Sequence, residues 1–256
     1  MAFLEVKNIS IQFGGLTAVG GLDFKVEEGQ VVSIIGPNGA GKTTIFNILT
    51  GIYQPQEGEI YFQGERIDGI APQKIVMAGI ARTFQNIRLF PDMRVIENVL
   101  VGTHIQTKYK LLDGFLRTRR FRKEESEKIQ FAVKLLKEVG LSGRINDYAD
   151  NLPYGEQRKL EIARAIATGA KLLLLDEPAA GMNPKESEEL RQFILQLKKQ
   201  GYTILLIEHD MNVVMNLSDY IYVVDYGKKI AEGLPQEIQG NKQVAAAYLG
   251  ESEVEL

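Results

Sequence analysis

The chain has 256 residues, 45% of them apolar, and a formal charge of −3, which suits one large α/β domain or a core with a smaller lobe. Its 33 acids and 30 bases are interspersed, excluding a global nucleic-acid-binding charge, and the absence of cysteine excludes disulfides and thiolate metal sites and fits an intracellular protein. No run approaches the roughly 20 apolar residues that span a bilayer, and residues 1–7 lack the basic start and sustained apolar stretch of a signal peptide, so work at a membrane is expected through partners.

Residues 4–6 and 22–26 read as short strands, with turns at Gly14-Gly15 and Glu28-Gly29, giving a small β layer. The apolar run Val31–Ile35 predicts a buried strand, and residues 45–49 a helix-like segment. Between them lies Gly36-Pro37-Asn38-Gly39-Ala40-Gly41-Lys42-Thr43-Thr44, with the G-x-x-x-x-G-K-[ST] spacing of a phosphate loop. Glycines let the backbone curl so that successive N–H groups face phosphate oxygens, and the following helix adds the positive end of its dipole. In that pattern Lys42 neutralises the β and γ phosphates and the Thr43 hydroxyl ligates Mg²⁺, so a nucleoside triphosphate with magnesium is expected. The bland alternative is a glycine-rich turn; the strand before it and the helix after it argue against that.

Arg82-Thr83-Phe84 reads as a short strand expected beside the phosphate-loop strand, and Gln85 follows at once. Its neutral amide can contact Mg²⁺ or the lytic water and withdraw without changing charge, although a surface glutamine fits the spacing equally well. From residue 95 to 168 the pattern is helical: Ile129, Val133, Leu136 and Val139 recur at helical spacing, and Gly140 is placed to stop the helix. Within this region His104 is assigned no role, and Lys108, Lys110, Arg117, Arg119, Arg120, Arg122 and Lys123 form a basic stretch whose default reading is a solvated face. Leu152-Pro153-Tyr154-Gly155-Glu156-Gln157-Arg158 then opens a strong helix over residues 159–166. Gly155 falls where backbone amides are free and the dipole is positive, which makes either a second anion site or simply a turn that starts a helix.

Leu172-Leu173-Leu174-Leu175 is an apolar strand ending in Asp176-Glu177-Pro178, and chemistry sits at such strand ends in open α/β sheets. Asp176 is suited to the magnesium shell and Glu177 to polarising a water aimed at the γ-phosphate; the bland reading is an acidic helix start. A helix from near Pro184 to before Gly201 and the strand Thr203–Ile207 follow, favouring a parallel sheet. His209, after Glu208, is expected to project from that strand end into the same crevice. A lone histidine there is more often structural, but its imidazole can hydrogen-bond a γ-phosphate oxygen or the attacking water. Short strands at 220–224 and 229–231 and an amphipathic piece at 244–249 close the chain, without repeats or low-complexity segments.

In this order, the phosphate loop, Gln85, residues 152–157, Asp176-Glu177 and His209 resemble the nucleotide-binding subunit of an ABC transporter, over essentially the whole chain. The strings Arg82-Thr83-Phe84-Gln85-Asn86-Ile87-Arg88-Leu89-Phe90, Glu177-Pro178-Ala179-Ala180-Gly181-Met182-Asn183-Pro184 and Ala247-Tyr248-Leu249-Gly250-Glu251 are similar to the ATPases of branched-chain amino acid importers, which use two related ATPase subunits. ATPases for amides, urea or lipopolysaccharide export share much of them. The expected fold is an α/β P-loop NTPase core with a mixed, largely parallel sheet, an N-terminal antiparallel β layer and an inserted helical subdomain. Residues 1–85 and 169–256 would form the core, and 86–168 the insert, within a single ATPase domain.

The resemblance implies a head-to-tail dimer, either of identical chains or with a paralogous ATPase, in which each ATP lies between the phosphate loop of one subunit and the signature segment of the other. Leu152, Pro153, Tyr154, Gly155 and Glu156 would then serve the partner's nucleotide. Ala180, Gly181, Met182 and Asn183 match the loop that crosses this interface, and Phe13 matches the aromatic position that stacks on adenine. Catalysis is assigned to Glu177, His209 and Gln85, and Mg²⁺ to Thr43, Gln85 and Asp176. Gln85 would also sit where the motor meets two integral membrane permease subunits, with a solute-binding protein as an indirect partner and no nucleic acid involved. The implied location is peripheral, on the cytoplasmic face of the cell membrane, where the helical subdomain lies toward the bilayer. There the basic stretch would meet anionic headgroups or an acidic face of the membrane subunit. One departure stands out: where the family usually has Leu-Ser-Gly-Gly-Gln, Pro153 replaces the serine, Tyr154 the first glycine and Glu156 the glutamine, removing a hydroxyl contact to the γ-phosphate.

The expected function is the ATP-hydrolysing motor of a branched-chain amino acid importer, with lipopolysaccharide or amide and urea systems as alternatives. A P-loop small-molecule kinase would have no reason to keep residues 152–157, Glu177 and His209 in this order. A soluble ABC-type ATPase of DNA repair or translation would carry a long coiled coil or two fused halves.

Overall fold

The computed structural model describes residues 2–249, so Gly250 and Glu251 of the tail string lie outside the described residues. Strands β1 (Leu4–Phe13) and β2 (Leu16–Val26) make one long antiparallel hairpin about Gly14-Gly15, longer than the two short strands expected. β3 (Val31–Ile35), α1 (Lys42–Leu49), β4 (Glu57–Phe62), β5 (Glu65–Arg66), α2 (Pro72–Ala78) and β6 (Ile80–Arg82) follow. The helical stretch holds α3 (Val95–Thr103), α4 (Leu111–Phe115), α5 (Arg119–Glu138) and α6 (Tyr154–Ala167). The chain continues with β7 (Leu172–Asp176), α7 (Pro184–Lys199), β8 (Thr203–Ile207), α8 (Met211–Leu217), β9 (Tyr220–Asp225), β10 (Lys228–Gly233), α9 (Pro235–Gln239) and α10 (Lys242–Leu249).

One sheet is antiparallel, in the order β2-β1-β4-β5, and the other runs β10-β9-β3-β8-β7-β6, parallel except for β10 on β9. The fold is therefore the expected α/β arrangement. The central strands β3, β7 and β8 are buried along their whole length, because both faces of the parallel sheet are covered. Alternation divides them: Leu172, Leu174, Leu205 and Ile207 face the core shared with the antiparallel sheet and α1, whereas Leu173, Leu175, Ile204 and Leu206 face the core shared with α3, α5 and α6.

One expectation needs correction. The strand before Gln85 does not lie beside the phosphate-loop strand: β6 pairs with β7 at the sheet edge, with β7 and β8 between it and β3. On α5, Ile129 and Val133 are exposed, and the buried face is Ala132, Leu135 and Leu136. The small Ala132 lets α5 approach its neighbours, and small residues do the same elsewhere in the insert: a side chain at Gly102 on α3 would collide with the Arg164 carbonyl of α6.

Candidate nucleotide site

Strand register brings the site together. Ile34 pairs with Ile207, and Ile207 with Asp176, so β3, β8 and β7 end side by side and release Gly36, Glu208 and Glu177 at one edge of the sheet. The loop after β3 is shaped by glycine at two contact points. At Gly36 (φ 156°) a side chain would collide with the Val224 carbonyl of β9, and at Gly41 (φ 98°) with the Ala18 carbonyl of β2. The antiparallel sheet thus presses its backbone against the loop, a reason for Gly41 that lies outside the local motif.

Around this loop a cavity of about 420 Å³ is lined by residues 38–44, Glu177, His209, Leu16, Thr17, Ala18 and Tyr226. Lys42 is buried, and its ammonium donates to the carbonyls of Gly36 (2.7 Å) and Pro37 (2.8 Å). Burial pushes its pKa down, and the nearby carboxylates of Glu177 and Asp176 work against that shift. A desolvated cation beside an open cavity, at the start of a helix, is a site that an anion stabilises.

Glu177 stands at the end of β7 with φ +44°, a strained conformation for a residue with a side chain, and its N–H donates to the Ile207 carbonyl at 2.8 Å. Its carboxylate accepts from Gln85 Nε2 at 2.5 Å and lies 2.5 Å from His209 Nε2. Gln85, Glu177 and His209, three segments far apart in sequence, therefore form one hydrogen-bonded cluster. Asp176 is buried and ion-paired through Oδ2 with Arg82 Nη2 at 2.6 Å. Of the three residues expected to hold Mg²⁺, Thr43 lines the cavity, while Asp176 is paired with Arg82 and Gln85 with Glu177; their hydroxyl, carboxylate and amide oxygens are of the hard-donor type that Mg²⁺ prefers.

The remaining predicted residues lie elsewhere. Phe13 does not line the cavity; its ring meets Tyr53 edge-on at 5.1 Å, while Leu16 and Tyr226 stand over the loop. None of Leu152, Pro153, Tyr154, Gly155 and Glu156 lines it either. Leu152 is buried, Glu156 pairs with Arg144 at 3.3 Å, and Pro153 provides the N-cap of α6 without a side-chain bond. Asn183 caps α7, accepting from the N–H groups of Lys185 and Glu186 at 3.0 Å each, and Pro184 opens that helix.

Sequence reasoning missed three tethers. The Tyr154 hydroxyl donates to the Ala180 carbonyl at 3.1 Å, tying α6 to the loop after β7. Arg158, wholly buried, donates to the carbonyls of Phe84 (2.6 Å) and Gln85 (2.7 Å) and pairs with Glu161 at 2.7 Å. Buried Glu208 accepts from Ala179 N–H (2.8 Å) and His209 N–H (3.1 Å), and burial raises its pKa. The adjacency of Glu208 to His209 was visible; the reach of Tyr154 and Arg158 across 26 and 73 residues had no local signal. Tyr154→Phe keeps the ring and removes only the hydroxyl, so unfolding should change by no more than about 1 kcal/mol while amide exchange at residues 179–182 speeds up. Unaltered protection of those amides would mean the bond does not hold the loop.

The ABC transporter family profile matches residues 19–180, and that of the branched-chain amino acid ATP-binding cassette transporters matches residues 228–254. The high-affinity branched-chain amino acid transport ATP-binding protein BraF of Pseudomonas aeruginosa is 50% identical over 97% of this chain and 98% of its own length. LivG of Escherichia coli, with the same description, is 48% identical over the same shares. Among solved structures, the ADP conformation of MJ1267, an ATP-binding cassette of an ABC transporter, superposes with a TM-score of 0.86 at 35% identity, covering 98% of this chain and all of that one. The dimeric bacterial cassette MJ0796 is 25% identical with a TM-score of 0.73, covering 91% and 98%. With a phosphate-loop sequence, carboxylates at the end of β7 in the same sheet and these relatives along almost its full length, the chain belongs to the ATP-binding subunits of ABC transporters, in their branched-chain amino acid group.

Proposed function

We propose that this ATPase is the motor subunit of a branched-chain amino acid importer, peripheral to the cytoplasmic face of the membrane and paired there with two permease subunits. The observation that carries the catalytic part is the cluster of Gln85, Glu177 and His209 beside the Lys42 cavity. Residues 36–44 cradle the ATP phosphates with backbone amides, and Lys42 turns from its carbonyl partners to the β and γ oxygens. Leu16 and Tyr226 join Phe13 as candidates to flank the base, since they stand over the loop. Thr43, Asp176 and Gln85 hold Mg²⁺, which when bound neutralises charge on the phosphate oxygens. Glu177 takes the proton from the attacking water, His209 orients that carboxylate and meets the γ-phosphate, and Gln85 senses its departure.

Residues 152–156 do not line their own subunit's cavity, which supports a head-to-tail dimer in which they complete the partner's site. Without the serine hydroxyl, the Gly155 amide and the dipole of α6 hold the partner's γ-phosphate. Ala180, Gly181, Met182 and Asn183 cross that interface, held in place by Tyr154 of their own chain. Lys42→Ala should weaken ATP binding by at least about a hundredfold, measured by equilibrium titration; near-normal affinity would contradict the phosphate role. The transport reading is checked by restoring branched-chain amino acid uptake in cells lacking their own ATPase subunit. Restored lipopolysaccharide export or urea uptake instead would assign the chain to those systems.

A further inference from the structure

The nucleotide chemistry leaves unused an arm formed by residues 104–131. α5 buries side chains fully only from Ala132 onward, so residues 119–131, about 20 Å of helix, stand off the body. A groove of about 640 Å³ separates them from it, with Arg120 and Lys123 on one wall and Ile166 and Tyr202 on the other. The tip is nevertheless firmly built. Asp113 accepts from Lys110 N–H and the Thr118 hydroxyl, both at 3.1 Å, Thr118 caps α5, and the rings of Tyr109 and Phe121 meet edge-on at 5.0 Å.

This bonded tip holds three large apolar side chains outward: Leu112, Phe115 and Leu116 are 72%, 88% and 69% exposed. Lys110, Arg117, Arg119 and Arg122 lie close to them in the chain and are exposed, as are Lys108, Arg120 and Lys123 at the groove. From residue 108 to 123 the only acid is Asp113, already engaged within the tip, so a chain of net charge −3 has gathered positive charge here. Three apolar side chains are far from the roughly 800 Å² per partner of a stable protein interface. A small apolar wedge flanked by cations is what an anionic lipid surface binds, the apolar groups entering the headgroup boundary and the cations meeting lipid phosphates.

We propose that the Leu112–Phe115–Leu116 tip, with its flanking lysines and arginines, docks on an anionic bilayer surface. The proposal rests on the peripheral membrane location given above, and it is tested without permease subunits so that the two can fail separately. The purified full chain is sedimented with vesicles of phosphatidylglycerol or of phosphatidylcholine, at low and high salt. It should partition onto the anionic vesicles only, and release as salt rises. Arg117→Gln/Arg119→Gln/Arg122→Gln should lower partitioning on the order of a hundredfold, and Leu112→Ser/Phe115→Ser/Leu116→Ser at least about tenfold. Both variants should fold and hydrolyse ATP as the parent chain does, since these residues are exposed and none of them lines the cavity. No partitioning, equal partitioning onto neutral vesicles, or variants that bind like the parent would overturn the proposal. Loss of ATPase activity in the parent would count against the motor reading and leave the vesicle result standing.

Discussion

Glu177→Gln is expected to slow ATP hydrolysis by about 10²- to 10⁴-fold while leaving ATP binding intact and trapping an ATP-bound dimer. The geometry explains why the two effects separate. Lys42 and the loop amides, which hold the phosphates in the proposed reading, make no bond to Glu177; the lysine's partners are Gly36 and Pro37. The Glu177 carboxylate instead contacts Gln85 and His209, both at 2.5 Å. A glutamine in its place can turn its amide oxygen to Gln85 Nε2 and its NH₂ group to an unprotonated His209 nitrogen, so the cluster keeps its shape and loses only its basicity. Phosphate release at saturating Mg²⁺-ATP, with ATP affinity measured on the same sample, makes the comparison. Turnover equal to that of the parent would remove Glu177 as the base, and loss of ATP binding along with turnover would show that the substitution had disturbed the loop. The left-handed backbone at Glu177 is common to both chains, so strain does not enter the difference.

What the sequence made legible follows from where the physical constraint resides. The strand, glycine turn and helix around residues 36–44 could be read because that local geometry is set by consecutive residues, so the requirement is written in adjacent letters. The strand ends at Asp176 and Ile207 could be read because a strand buried on both faces needs an unbroken apolar run, and its end is where polar residues resume. Sheet order was not legible: β6 was expected beside β3, yet neighbours in a parallel sheet are set by crossover helices and not by the strands themselves. The helix α5 and its stop at Gly140 were legible from spacing, but the packed face was not, because Ile129 and Val133 keep the helical period while exposed and a packed position belongs to Ala132. Phe13 is assigned from a family pattern alone, and Leu16 and Tyr226, which line the cavity, carried no signal in the sequence. Arg158 was passed over as a polar helix residue, because nothing near it in the chain announces that it is buried.

Arg158→Met should be the more damaging change to the fold. The guanidinium is fully buried with Glu161, itself 2% exposed, and removing it leaves that carboxylate in the core with only the Arg88 N–H at 3.1 Å. Breaking one side of a buried ion pair costs about 3–5 kcal/mol, which for a chain of this size lowers the melting temperature by on the order of 10 °C. The loss should not be confined to stability. Arg158 donates to the carbonyls of both Phe84 and Gln85, and its second Nη lies 3.4 Å from the Tyr154 hydroxyl that reaches Ala180. One buried side chain therefore fixes the segment carrying Gln85 to α6. Arg158→Met/Glu161→Leu separates the two roles, because replacing both partners with apolar groups removes the stranded charge and should restore most of the melting temperature. ATP turnover should remain depressed in the double variant, since Gln85 has still lost its anchor next to Glu177. Turnover that returns together with stability would show that Arg158 only supports the core, and a single variant that melts within about 1 kcal/mol of the parent would show that the pair is not buried in solution as it is here.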